Sequence, residues 1–200
     1  DFEADHEKIS ARMEERKRKM DFKRPNAMDR FIDEATSGKK HIVYVIDDNG
    51  EAVYHLYIIQ KLMSDNPDLK VTLIPRGSQY GMDASYRDVL QLLSRPVFKG
   101  LKGELDTERF HLLRHSPRLG GIDVSRASEE MQSALDACDM IFSVGCVNFE
   151  MLSGVNRDTY HLLMVHGKTS ELSTGYSEGD CLFLRYPAGE NYMDRSVNLR

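Results

Sequence analysis

The stretch His41-Ile42-Val43-Tyr44-Val45-Ile46-Asp47-Asp48-Asn49-Gly50-Glu51 decides the fold class. Its first six residues form a nearly continuous β-branched and aromatic run, the pattern of a strand buried on both faces rather than one. Potential oxygen ligands follow at the strand end, and residues 51–63 then place Val53, Leu56, Ile58, Ile59 and Met63 close to a 3.6-residue period, which predicts a helix. A strand covered on both sides that turns directly into a helix is the opening of a βα unit.

The same alternation continues outward. Strands are predicted at 71–74, 110–113, 140–144, 160–165 and 181–185. Helices are predicted at 83–93 and 125–137, the second turning Ala127, Met131, Ala134 and Leu135 inward. This order predicts a three-layer α/β fold: a mostly parallel sheet with helices on both faces. Upstream, residues 1–40 differ in character. They hold the mixed-sign run Glu14-Glu15-Arg16-Lys17-Arg18-Lys19, the breaker pair Pro25-Asn26 and a helical window at 26–36 before Gly38. The chain therefore divides into an N-terminal helical segment, 1–40, and an α/β domain, 41–200. The charge run reads as a solvated helix face, with a contact to a partner or nucleic acid as the alternative.

Composition narrows the function. At 200 residues the chain has room for one medium domain with a real core, and 40% hydrophobic against 30% charged residues excludes global disorder and fibrous classes. No apolar run approaches the ~18 residues that a membrane span needs. A net charge of -5 argues against a nucleic-acid backbone as partner, yet leaves room for a small anionic substrate, because one metal ion reverses the sign of a pocket. Cys138, Cys146 and Cys181 are widely spaced, which predicts a reducing, cytoplasmic setting and no cysteine zinc site. The start at Asp1, without a signal-peptide pattern, leads us to expect a piece of a longer protein.

In open α/β sheets ligands bind beyond the carboxyl ends of the strands. Asp47, Asp48 and Asn49 stand at the first such end, and carboxylates and amides there suit Mg²⁺ or Mn²⁺. The alternative is an Asx-turn and N-cap. Arg76-Gly77-Ser78 follows the second strand. Arg76 has the fork to grip a phosphate, and Asp83 either completes a metal site or caps the next helix. Gly145-Cys146-Val147-Asn148-Phe149-Glu150 follows the strand at 140–144, where small residues let backbone approach a ligand and Asn148 is either a substrate amide or a cap. His115 and Arg118 read as a solvated loop, with a pocket mouth as the alternative. Cys146 has no neighbouring His to make it a nucleophile.

These blocks together resemble the damage-control phosphatases, a metal-dependent family first catalogued as a domain of unknown function. The family pattern runs D-N-x-G-E, R-G-S-P-x-x-N-D, G-T-D, K-G-x-x-N-Y-E and L-K-x-K. The counterparts are Asp47-Asp48-Asn49-Gly50-Glu51, Arg76-Gly77-Ser78 with Asp83 at the family spacing, Gly121-Ile122-Asp123 and the Gly145 to Glu150 block, in order over about residues 41–170. The resemblance implies a divalent metal (Mn²⁺, Mg²⁺, Ni²⁺ or Co²⁺) and hydrolysis of phosphate esters of small, often sugar-like, metabolites. By position it makes Asp47, Asp48 and Asp83 the metal ligands, with Asp47 and Asp48 as the catalytic carboxylates. It places Glu51, Arg76, Ser78, Asn148, Glu150 and His166 near the substrate.

The sequence also departs from the pattern. Val144 replaces the lysine before the glycine, and Leu163-Met164-Val165-His166 lacks both lysines of the last block. A histidine with an ordinary pKa of ~6.5 is mostly neutral at pH 7 and holds phosphate less firmly than lysine. Lys168 is the nearest substitute if its loop bends back. The acidic set thus favours an enzyme, and the missing lysines favour a repurposed, non-catalytic metal- or metabolite-binding domain of the same fold.

Overall fold

The computed structural model describes residues 27–38, 40–105, 107–115 and 121–193. The charge run at 14–19 and the Pro25-Asn26 breaker lie outside them. Among the described residues, a six-stranded sheet runs in the order β3-β2-β1-β4-β5-β6, formed by β1 (His41–Val45), β2 (Lys70–Ile74), β3 (Phe110–Leu112), β4 (Met140–Val144), β5 (Asp158–Met164) and β6 (Cys181–Tyr186). The pairs β3 to β2, β2 to β1, β1 to β4 and β4 to β5 are parallel. The strand β6 is antiparallel to β5. A parallel return would need a crossover as long as the strand, ~20 Å for six residues. The intervening α7 (Lys168–Thr174) has 7 residues, ~10 Å of helix, and stops at left-handed Gly175, so the chain doubles back.

Successive β1 side chains alternate between two cores, as a strand's period of two dictates. Ile42 and Tyr44 join one core with α1 (Ala27–Thr36), α2 (Asn49–Asp65), α3 (Tyr86–Leu93) and α4 (Lys99–Gly103), through residues such as Phe31, Leu56, Val89 and Leu101. Val43 and Val45 join a second core with Met131 and Leu135 of α5 (Glu129–Ala137). A third cluster around Phe149 of α6 (Cys146–Met151) and Tyr192 covers the same flank at β5 and β6. The helical window of the N-terminal segment thus shares a core with the α/β part, since the rings of Phe31 and Phe142 pack tilted with centroids 4.9 Å apart.

Two helix starts differ from expectation. The helix expected at 83–93 begins at Tyr86. Ser85 is its N-cap, and a capping box with Asp88 satisfies the first-turn amides, so Asp83 stays outside the helix. The helix expected at 125–137 is a 3₁₀ turn, Val124–Arg126, followed by α5, whose N-cap is Ser128.

Candidate active site

The strand order changes direction at β1, which lies between β2 and β4, and the candidate residues gather at the carboxyl end of this switch point. Asp47 follows β1 and is half-buried. Its backbone carbonyl accepts from Ala84 N at 2.6 Å, and its carboxylate lies over the β4 turn. Gly145, at φ 89, is the N-cap of α6, and a Cβ there would stand 1.9 Å from Asp47 Oδ2. Only glycine leaves room for the carboxylate and accepts that backbone conformation.

Burial pushes the Asp47 carboxyl up to about 6 from its ordinary 3.8; the charges of Asp83, Glu51 and Asp48 add to the rise and Arg76 opposes it. Asp48 is the N-cap of α2, where Oδ1 accepts from Gly50 N at 2.6 Å. It forms an antiparallel bridge with Asp83, fixed by Asn49 N donating to Met82 O at 2.8 Å. The two acidic strand ends are therefore laced together by backbone. The Asp83 carboxylate accepts from Arg76 Nε at 2.6 Å, and these side chains are 19% and 5% exposed. Arg76 Nη1 also reaches Gly121 O at 3.4 Å. Arg76, expected as a phosphate fork, is thus held as the counter-ion of Asp83.

The other candidates are spread along the same edge. Glu51, exposed in the first turn of α2, lies 3.9 Å from His55 Nε2, and this interaction pulls its carboxyl below the ordinary value. His55 is buried and meets Tyr44 OH through Nδ1 at 2.9 Å, a Tyr44-His55-Glu51 line that strand and helix periodicity did not reveal. Asn148 is buried. Its Oδ1 accepts from Ile122 N and its Nδ2 donates to Val144 O, so it ties the Gly121-Ile122-Asp123 segment to the end of β4. Gly121 is packed so closely that a Cβ would meet Val147 O at 2.8 Å. Asp123 accepts from the Ser125 hydroxyl and amide, which lower its pKa. Glu150 accepts from Ser170 Oγ at 3.3 Å, and Ser78 is exposed.

The lysine positions show what replaced them. Val144 is buried in the first core and Met164 is exposed. His166 is exposed and pairs with Glu178 at 3.1 Å. Lys168 does not bend back toward the acidic residues; it pairs with Glu171 in its own helix at 3.1 Å. Cys146 Sγ donates to Met164 O, and burial raises its pKa, so it stays a thiol. His115 is not part of a solvated loop: it is 4% exposed, with Nε2 2.8 Å from Gly121 O. Arg118 lies outside the described residues.

The donor set fits a hard divalent cation chemically, because its acidic side chains offer oxygen and Asp47 is raised first by burial and then by the neighbouring negative charges. Among the described residues, no three His, Cys, Asp or Glu side chains are already drawn together as a metal cage. Asp83 would have to share its carboxylate between Arg76 and an ion.

Among the described residues no helix is long and apolar enough to cross a membrane. The crystal structure of a DUF89 family protein from Pyrococcus horikoshii superposes with a TM-score of 0.64 at 21% identity, covering 76% of this chain and 49% of that one. The chain thus spans about half the length of that relative. No curated protein matches it. Residues 1–184 match the damage-control phosphatase ARMT1-like domain. With that match across nearly the whole sequence, and with the acidic strand ends gathered at the switch point of the sheet, the chain belongs to the damage-control phosphatase family.

Proposed function

We propose that the chain is a divalent-metal-dependent phosphatase domain that hydrolyses phosphate esters of small, sugar-like metabolites. The observation that carries this reading is Asp47: a half-buried carboxylate raised to about 6, pressed on Gly145 and surrounded by Asp83, Glu51 and Asp48. Such a site is short of positive charge, and a cation relieves it. Asp47, Asp83 and Asp48 would hold Mn²⁺, Mg²⁺, Ni²⁺ or Co²⁺, with Asp48 bringing the oxygen that does not cap Gly50. A bound cation acts as a Lewis acid on phosphoryl oxygens. The chain itself supplies orientation. Asp47 is the candidate nucleophile or base, Glu51 is steadied by His55, and Ser78 and Glu150 are further candidates for contact with the substrate. Arg76 holds Asp83 in place, and Asn148 holds the Ile122 segment against β4.

A second reading is a domain that keeps the cation and the metabolite but not turnover. It is favoured by the buried Val144, the exposed Met164 and the engagement of Lys168 with Glu171, which leave His166 as the nearest substitute for the family lysines. A phosphomonoester screen with each of the four metals and with chelator, run beside calorimetric Mn²⁺ titration, separates the two. Metal-dependent hydrolysis that Asp83→Ala abolishes supports the phosphatase. Metal binding without turnover supports the second reading, and hydrolysis indifferent to chelator overturns the first.

A further inference from the structure

A cavity of about 360 Å³ opens beside the acidic cluster, lined by Gly77, Ser78, Arg114, His115, Arg126 and Met131, among others. Its wall is made where the ends of β2 and β3 are pressed together. Gly77 N donates to His115 O at 2.8 Å, and a Cβ on Gly77 would stand 2.3 Å from that oxygen. The wall also touches the site already described, because Arg76 Nη1 and His115 Nε2 meet on the same Gly121 carbonyl.

One polar atom in the wall of this cavity stands without a partner among the described residues. A carbonyl only accepts, so His115 Nε2 carries the ring proton and Nδ1 presents a lone pair. His115 Nδ1 is buried and has no hydrogen-bond partner among the described residues, in a side chain that is 4% exposed. Buried acceptors are almost always satisfied, so this one calls for a donor from outside the protein. Burial lowers the pKa of the ring; the Gly121 hydrogen bond opposes this and Arg76 adds to it. Arg114 and Arg126 also line the cavity. Arg114 is stacked over Tyr86 at 4.1 Å and makes no ion pair among the described residues. Arg126, 72% exposed, has Asp123 at 3.5 Å. A hydroxyl for the His115 lone pair beside an anionic group for the two arginines is the complementary ligand.

We propose that this cavity is a subsite for the far end of the substrate, in which Arg114 and Arg126 bind a carboxylate or second phosphate and His115 Nδ1 accepts from a neighbouring hydroxyl. Resting on the phosphatase reading, it narrows the substrate to phosphorylated polyhydroxy compounds that carry a second anionic group.

Calorimetry on the full chain in chelator tests it, with D-gluconate, glycerol 3-phosphate and sorbitol as probes. Gluconate is expected to bind if the group is a carboxylate and glycerol 3-phosphate if it is a phosphate, with sorbitol silent. Arg114→Gln combined with Arg126→Gln, two exposed positions whose folding is checked by circular dichroism, should weaken binding at least tenfold. Asp47→Asn should leave it intact. Failure of both anions to bind, binding undiminished in the double variant, or equal binding of sorbitol overturns the subsite. The readout needs no turnover, so loss of the phosphatase reading and loss of the subsite are told apart.

Discussion

Arg76 and Asp83 form an ion pair at 2.6 Å in which the guanidinium is 5% exposed and the carboxylate 19%. The pair bridges the end of β2 to the segment bonded back to Asp48, so it is both a fastener of the acidic loop and the local source of positive charge. Removing one partner of a buried pair leaves the other desolvated and unpaired, which typically costs ~3–5 kcal/mol when burial is complete. With Asp83 partly open to solvent, Arg76→Gln should destabilise the fold by about 2–4 kcal/mol in chelator. Added Mn²⁺ should then stabilise the variant more than the wild type, because Asp83 is released to the ion. Denaturant melts with and without Mn²⁺ check both halves, and a variant indifferent to Mn²⁺ would show that Asp83 is no ligand.

Asp47 makes the metal-free protein pH-sensitive in a defined direction. Its folded pKa of about 6 lies above its ordinary 3.8, so between these values the folded state holds more protons than the unfolded one. Stability contributed by this group is full below pH ~4, falls as pH rises through about 6, and is flat above. Asp47→Asn removes the penalty. In chelator it should be more stable than wild type at pH 7 by roughly 1–3 kcal/mol after allowance for solvent screening, and equal at pH ~3.5. The same variant should lose metal binding, so Mn²⁺ raises the melting temperature of the wild type alone.

Gly145 joins the β4 end to the β1 end. Gly145→Ala meets two obstacles at once, a φ of 89 and an Asp47 oxygen 1.9 Å from the new methyl group. Backbone strain alone is of order 1–3 kcal/mol. The clash should also displace Asp47 and with it the site, so activity falls further than stability. A double variant, Asp47→Gly with Gly145→Ala, relieves the clash but not the strain; recovery of most of the lost stability would assign the larger share to the carboxylate.

The layer structure was legible because β1 and β4 are apolar on both faces and the intervening windows hold a helical period. The start of α3 was not. Asp83 has the chemistry of a cap, but backbone bonds to the Asp47 and Asp48 loop hold it outside the helix, and the signal that decides the boundary is the Ser85-x-x-Asp88 box. The strand-end rule brought out Asp47 and Asp83 as residues of one edge. That Arg76 spends its charge on Asp83, and that His115 is buried against Gly121, depends on contacts 7 and 6 residues apart closed by loops with no period of their own.

His161 sets the opposite pH response to that of Asp47. It is buried, with Nδ1 3.1 Å from Ser143 Oγ and Nε2 3.1 Å from Tyr192 OH. The Tyr192 hydroxyl donates its proton to Phe149 O at 2.6 Å, so its oxygen accepts from Nε2 and Nδ1 accepts from Ser143. This arrangement satisfies the neutral ring and offers nothing to a second proton. Burial accordingly lowers the pKa to about 3 from its ordinary 6.5. Between those values the unfolded chain binds the proton and the folded one does not, so stability is complete above pH ~6.5 and is lost as pH falls toward 3, by up to ~1.4 kcal/mol per pH unit. His161→Phe should cost ~1–3 kcal/mol at pH 7, since Ser143 loses its acceptor. It should also flatten that acid slope. Denaturant melts of both proteins at pH 7, 5.5 and 4.5, taken as differences so that Asp47 cancels, should show the gap narrowing with acid; a constant gap would mean that His161 takes up its proton within the fold.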